Sequence, residues 1–390
     1  MRLCVNFKNK RNIKNYIQQK RNILRVMFIN KGTVIPEDTN IPEQPVVPEQ
    51  TIEPEQVILT DEPIVSEQIV LYEQINEPEQ TIWYKTNSPN NVNWISITSD
   101  SNCKYIYAVS KQGIYKSSDY GNTWTILLTN ENEDTQWVSV CSDTSGKYIV
   151  AFAIINTSIR QNILYYSNNF GEIWNTSSHT INSTDYLTSI TYNDKPSFIS
   201  VSFNGHIYES VNYGESWSKI SAINTLCSSI LSNYNNKFLC VSSCYGNRGI
   251  YISNDYGKTW KKQCNLICNL LAGSFCCKYL VATCNTKNME GIHVSNDYGQ
   301  TWTKTLSIKG YWCSIVSNYS GKYLGAICKS DEHGGIYLSY NYGISWIKND
   351  TTIDDLNSLI LSDNGSLLFA SASNCQNNMS NIYLYKNLVC

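Results

Sequence analysis

Six octets carry the most regular set of chemistry-bearing side chains in this 390-residue sequence: SSDYGNTW (117–124), SNNFGEIW (167–174), SVNYGESW (210–217), SNDYGKTW (253–260), SNDYGQTW (295–302) and SYNYGISW (339–346). Their third positions are Asp119, Asn169, Asn212, Asp255, Asp297 and Asn341. An oxygen at that place can accept hydrogen bonds from the amides of its own turn, as in an Asx-turn. The fifth positions, Gly121, Gly171, Gly214, Gly257, Gly299 and Gly343, supply a backbone angle that a Cβ would resist. The eighth positions, Trp124, Trp174, Trp217, Trp260, Trp302 and Trp346, bring a ring large enough to fill the space between two sheets. Asparagine keeps the carbonyl acceptor of aspartate and loses its charge. A turn staple tolerates that exchange, whereas a carboxylate catalyst or a calcium site does not, so the octets are expected to be structural.

Other reactive types are scattered. The four histidines, His179, His206, His293 and His333, share no metal-ligand spacing. The 15 cysteines are an odd number and fall mostly in apolar alternating runs; Cys264-x3-Cys268 and Cys276-Cys277 lack the paired spacing of a zinc site. Reduced, buried thiols in an intracellular, cytoplasmic protein are expected, with no metal and no cofactor.

The elements that must carry these residues are strands. Each octet follows a short alternating run (GIYKS, ILYYS, HIYES, GIYIS, GIHVS, GIYLS), and a second family lies about 20 residues upstream: WISITSD, WVSVCSD, LTSITYN, CSSILSN, CNLLAGS, WCSIVSN and NSLILSD. The octet tryptophans are 50, 43, 43, 42 and 44 residues apart, the period of a four-stranded propeller blade. The second family has seven members, and NIYLYKN (381–387) is a third strand with no octet after it. TIWYKTN (81–87) resembles ISWIKND (344–350), so an N-terminal strand opened by Trp83 is expected to complete the last sheet. The expected fold is all-β, a seven-bladed β-propeller of four-stranded antiparallel blades, closed by an N-terminal strand and preceded by a disordered N-terminal extension.

Charge divides the chain into three. Residues 1–31 hold nine Lys/Arg and no acid, residues 36–80 hold twelve Asp/Glu, no Lys/Arg and seven of the nine prolines, and 81–390 is nearly neutral. The expected organisation is a basic arm (1–35), a Pro/Glu/Gln-rich acidic linker (36–80) and the propeller (81–390). Arg25 splits the only apolar run of the arm, so a secretory signal is not expected; neither is a membrane span. A net charge of −2 argues against a dedicated nucleic-acid binder, although the arm could contact an anionic surface.

The octets resemble the Asp-box, or BNR repeat, of sialidases and other propeller proteins. That resemblance implies a sialidase-like fold with boxes on one face and ligands on the other. A sialidase also needs three arginines on the sugar carboxylate, and residues 81–390 contain only Arg160 and Arg248, so sialidase activity is not expected. Photosystem assembly factors resemble the same pattern, but their arginine-rich surface has no counterpart here. The Asn-, Ile- and Tyr-rich composition resembles that of proteins from AT-rich genomes such as giant DNA viruses, with virion association as a corollary. On the face opposite the boxes, Trp94, Trp137, Tyr186, Tyr311 and Trp312 with Arg160 and Arg248 are the candidate contacts for a protein or glycan. A non-enzymatic interaction module is expected. The alternative is a glycan-processing hydrolase with a carboxylate pair drawn from Glu131, Glu133, Asp134, Asp331, Glu332, Asp350, Asp354 and Asp355.

Overall fold

A computed structural model of the chain describes residues 26–27, 83–129, 135–156, 160–178, 187–192, 197–202, 204–286, 290–349, 351, 353–373 and 380–386. Among them there are strands, turns and connecting loops, and no helix. Sheet 1 shows the pattern. Trp94–Ser99, Ile106–Ser110, Gly113–Ser117 and Thr125–Thr129 pair in chain order as an antiparallel meander. Its first three strands are almost wholly buried and the fourth, TILLT, is half exposed at the outer edge. The innermost strands of sheets 2 to 7 are Thr135–Ser142, Leu187–Tyr192, Leu226–Ser232, Leu270–Gly273, Tyr311–Ser317 and Leu356–Leu361. Each lies against the next, and Leu356–Leu361 returns to Trp94–Ser99.

Sheet 7 is completed by the N-terminal strand. Trp83–Lys85 pairs antiparallel with Asn381–Lys386, with Trp83 opposite Tyr385. The Trp83 indole N–H donates to Asn349 Oδ1 at 2.7 Å, fastening this strand to sheet 6.

One expectation fails. Seven four-stranded blades are anticipated, and the structure has six four-stranded sheets; sheet 6 has five strands. Val26–Met27 pairs in parallel with Ile315 and Val316. An innermost strand keeps one edge of N–H and C=O groups unpaired toward the channel, and such an edge accepts another strand. The basic arm expected to be disordered therefore contains a paired dipeptide. The rest of the arm and the whole 36–80 linker lie outside the described residues.

The core lies between sheets. Tyr107, Val109 and Ile114 of sheet 1 meet Trp137, Val140, Ile149 and Ala151 of sheet 2, all buried. At roughly 1.5–3 kcal/mol for each large apolar side chain, such interfaces hold the wedges together. A second device joins the innermost strands. A serine at the third place accepts a backbone N–H from the next sheet: Ser96 from Val140 at 3.3 Å, Ser229 from Leu271 at 3.3 Å, and Ser314 from Leu359 at 3.0 Å. These hydroxyls satisfy edge donors that would otherwise be buried without a partner.

Candidate functional site

The six boxes have one geometry. The first-position serine accepts the glycine N–H at 2.8–2.9 Å and donates to the third residue at 2.7–3.1 Å. The third-residue oxygen then accepts the N–H four places on: Thr123, Ile173, Ser216, Thr259, Thr301 or Ser345, at 2.8–3.0 Å. Where it is aspartate, the second oxygen also accepts a threonine hydroxyl, as from Thr123 to Asp119 at 2.6 Å. Where it is Asn212 or Asn341, the amide donates instead to Ser216 or Ser345, both at 2.9 Å. The hydroxyl and N–H of Thr259, with the Ser253 hydroxyl, pull Asp255 down to about 2. Asp119 and Asp297 are also lowered, slight burial being outweighed by the same threonine and serine bonds.

The sequence reading missed the fourth position. Tyr120, Phe170, Tyr213, Tyr256, Tyr298 and Tyr342 all have φ near +60°, immediately before a glycine at +76° to +92°. Two left-handed residues in a row are costly for an aromatic. The rings show what offsets the cost. Phe170 lies 5.0 Å from Tyr105, Tyr213 3.6 Å from Tyr148, Tyr298 6.3 Å from Phe238 and Tyr342 4.3 Å from Tyr279. Four of the six boxes thus clasp the first hairpin of the preceding sheet. The aromatic at octet position four, paired with the Lys-Tyr/Phe of that hairpin, was the available signal.

At the other end of the sheets the candidate contacts separate. Trp94, Trp137 and Trp312 are buried, packed against Tyr115, Tyr165 and Tyr337 at 5.1, 5.1 and 5.5 Å. They sit in the walls and present no ring to a partner, because the innermost strand turns them between sheets. Tyr186 lies outside the described residues, and Arg160 opens the strand Arg160–Ser167.

Tyr311 and Arg248 do come together, through a neighbour the sequence reading missed. The Tyr311 hydroxyl is buried and accepts or donates no hydrogen bond. Burial pushes its pKa up, and nearby Cys313, Tyr245 and Cys244 push the same way. Tyr245 and Cys244 belong to sheet 4 and Tyr311 to sheet 6, so the ends of these strands approach one another past the intervening sheet 5. Tyr245 is itself raised to about 12 by burial, with Arg248 opposing the rise. Arg248 is exposed, on a turn bounded by Gly246 and Gly249 at φ of +68° and +148°. The mouth therefore combines two phenols, a guanidinium and the thiols Cys244 and Cys313.

The acids of this end form no comparable group. Asp331, Glu332, Asp354 and Asp355 are exposed, and no hydrogen bond or ion pair joins any two of them among the described residues; Glu332 lies 3.7 Å from His333. Glu131, Glu133, Asp134 and Asp350 lie outside the described residues, as does His179. Among the described residues no three His, Cys, Asp or Glu side chains are arranged to hold a metal ion, and no helix is long and apolar enough to cross a membrane. A cleft of about 320 Å³ runs between sheets 3 and 4, lined by Ile223, Asn247, Tyr251, Lys258 and Trp260.

The BNR-Asp box repeat family model matches residues 250–263, one of the six boxes with its flanking strands. No curated protein sequence matches. Among solved structures, YCF48 bound to a D1 peptide is 13% identical with a TM-score of 0.57, covering 79% of this chain and 96% of its own. The WD40 β-propeller domain of Doa1 is 12% identical with a TM-score of 0.56, covering 79% and 97%. The GH74 xyloglucanase from Xanthomonas campestris is 11% identical with a TM-score of 0.56, covering 77% of this chain and 55% of the enzyme. At these identities the likeness is one of fold, a β-propeller of the Asp-box type.

Proposed function

We propose that this chain is a non-catalytic propeller that docks a segment of a partner protein at the channel mouth opposite the boxes. The observation that carries this reading is the Tyr311 hydroxyl, buried without a hydrogen-bond partner, near Tyr245, which in turn lies near Arg248. A buried polar group left unpaired costs about 1–3 kcal/mol, and an incoming peptide group would relieve that cost. Arg248 adds a planar fork suited to a carboxylate of the same peptide. The boxes serve as staples, since aspartate and asparagine make the same turn. The basic arm and the acidic linker serve to attach the propeller to a larger assembly. A peptide-holding propeller among the similar structures supports the module class. The xyloglucanase keeps hydrolysis of a glycan, by Asp354 or Asp355 with a second acid, as the competing reading.

The test is selection of a displayed random-peptide library on the full chain, repeated with Arg248→Ala and Tyr311→Phe. Acidic peptides enriched by the unaltered chain should be lost with Arg248→Ala and weakened about fivefold to tenfold, 1–1.4 kcal/mol, with Tyr311→Phe. Equal enrichment by all three chains removes the mouth as the site. Release of reducing sugar from a polysaccharide panel, abolished by Asp354→Asn or Asp355→Asn, would replace the binding reading with the hydrolase.

A further inference from the structure

The repeats act as internal controls, and one of them deviates at three facing positions. In sheets 1, 2 and 6 the innermost strand begins its register step with Trp94, Trp137 or Trp312, which packs on Tyr115, Tyr165 or Tyr337 of the third strand. The residue opposite is Ser110, Ala153 or Cys328. Sheet 3 has Leu187, Ser202 and Tyr208 in the three places, and sheet 7 has Leu356, Ala372 and Tyr383. In sheet 5, Leu270 pairs with Thr283 as Ser96 pairs with Val109, so the corresponding residues are Cys268 and Cys284. The third-strand aromatic is replaced by His293, which is paired with Ala282. No other sheet places two thiols and an imidazole there.

The placement follows from the register. The Asn269 N–H donates to Thr283 O at 2.9 Å, which sets Cys268 beside Cys284 in one buried cluster, and His293 lies two places along the third strand from Gly291, the partner of Cys284. The residue directly across from Cys284 is Gly291, at φ +119°, with the Leu306 carbonyl and the Lys304 side chain packed where a Cβ would stand. Both thiols are fully buried; His293 is 8% exposed, and its Nδ1 is buried with no hydrogen-bond partner. Lys304 pairs with His293 from the fourth strand, and Cys264 and Cys240 approach from sheet 4. The neighbouring Cys268, then His293 and the Lys304 charge, outweigh burial and push the Cys284 thiol below its ordinary range, while burial holds Cys268 well above it. One sulfur thus ionises more readily than its neighbour, the division of labour of an oxidisable pair.

We infer that Cys268, Cys284 and His293 form a redox site in which the two cysteines close a reversible cross-strand disulfide, with a small peroxide as oxidant. His293 takes the Cys284 thiol proton, and the sulfur attacks one peroxide oxygen; the O–O bond breaks, Cys284 becomes a sulfenic acid, and the imidazole returns that proton to the leaving oxygen, which departs as water. The Cys268 sulfur then attacks the Cys284 sulfur. The S–S bond forms, the S–O bond breaks, and the second water carries away the Cys268 proton. Peroxide is reduced to two waters and the two thiols are oxidised; a dithiol reductant reverses the bond. Its effect falls on a joint of the ring. Cys268 O accepts the Ser228 hydroxyl of sheet 4 at 3.3 Å, and Asn285, next to Cys284, accepts the Trp312 N–H of sheet 6 at 3.1 Å.

Full-length protein treated with hydrogen peroxide, denatured in N-ethylmaleimide and mapped by mass spectrometry should lose two hydrogens in a Cys268–Cys284 cross-link that dithiothreitol reverses. Cys268→Ser should leave Cys284 as a sulfenic acid captured by dimedone, and Cys284→Ser should leave Cys268 unreacted. His293→Tyr, which restores the residue of the other sheets, should slow the oxidation several-fold and move its pH dependence upward while the fold is retained by circular dichroism. Quantitative alkylation of both thiols after peroxide, a native-state cross-link through different cysteines, or an unchanged rate and pH profile in His293→Tyr would each overturn the site.

Discussion

A carboxylate here takes its character from whether its own turn is wet or dry. Asp255 lies in an exposed box, is held by Thr259 and Ser253, and falls to about 2; Asp100 lies in the buried first hairpin of sheet 1 and is raised to about 6 by burial, against the Tyr105 N–H that it accepts at 2.8 Å. For Asp255 the folded value is below the unfolded one, so its contribution is present above the unfolded pKa of 3.8 and lost as pH falls toward 2. For Asp100 the order is reversed. Its contribution is complete below 3.8 and lost as pH rises through about 6, so at neutral pH the ionised group is a burden. Sheets 4 and 6 carry Asn233 and Asn318 at that hairpin position, and both accept the same N–H, at 3.0 and 2.9 Å. Asp100→Asn is therefore expected to raise stability at pH 7 by about 1–3 kcal/mol and to leave it unchanged at pH 4. Urea denaturation at the two pH values measures the difference, and a loss of stability at pH 7 would contradict the cause assigned to the shift. Ser253→Ala tests the box from the opposite side. The buried hydroxyl it removes accepts the Gly257 N–H at 2.8 Å, and that buried donor would lose its partner at a cost of about 1–3 kcal/mol, read as a lower urea midpoint.

At the scale of the element, strands and boxes were legible because each obeys a local rule. Alternation marks GIYKS, and serine, glycine and tryptophan mark the turn, so their positions needed no knowledge of neighbours. The orientation of Trp94, Trp137 and Trp312 was not legible. Being large, aromatic and near a channel mouth suits either a contact surface or a wall, and only the packing on Tyr115, Tyr165 and Tyr337 decides. The mouth was half legible: Tyr311 and Arg248 stand out by type, but Tyr245 joins them only because the strand ends of sheets 4 and 6 approach one another past sheet 5. The inter-sheet serines were invisible for the same reason, since a serine in a strand carries no mark of whose N–H it accepts. Ser314→Ala should strand the Leu359 N–H and cost about 1–3 kcal/mol, although the residue belongs to no box. A urea midpoint equal to that of the unaltered chain would mean that water or a backbone shift replaces this bond.

At the scale of the whole molecule, stability depends on a joint between residues nearly three hundred positions apart. Pairing Trp83 with Tyr385 closes a loop whose entropic cost is about 5 kcal/mol by the logarithmic rule, before any constant. What offsets that cost is local to the joint. The Trp83 ring packs on Tyr385 at 5.2 Å and its N–H reaches Asn349, the Thr86 N–H donates to Ile382 O at 3.0 Å, and the Ser88 hydroxyl donates to Asn381 at 2.8 Å. Without the strand, Asn381–Lys386 becomes a bare sheet edge and the sheet 7 core loses its outer cover. A chain beginning at Asn90 is therefore expected to be less stable than one beginning at Gln80, and the loss should be unevenly spread. Amide hydrogen exchange should accelerate first in Leu356–Leu361, Leu367–Ala372 and Asn381–Lys386, then in the sheet 1 strands against which they lie, with sheets 3 to 5 little changed. The bare edge should also make the shorter chain associate, visible as a concentration-dependent sedimentation coefficient. If both chains protect sheet 7 equally, the ring is held by its inter-sheet faces alone and the N-terminal strand is only an ornament on its rim. Acceleration spread evenly over all sheets would instead mean that the ring unfolds as one unit, and that the joint governs the whole rather than its own wedge.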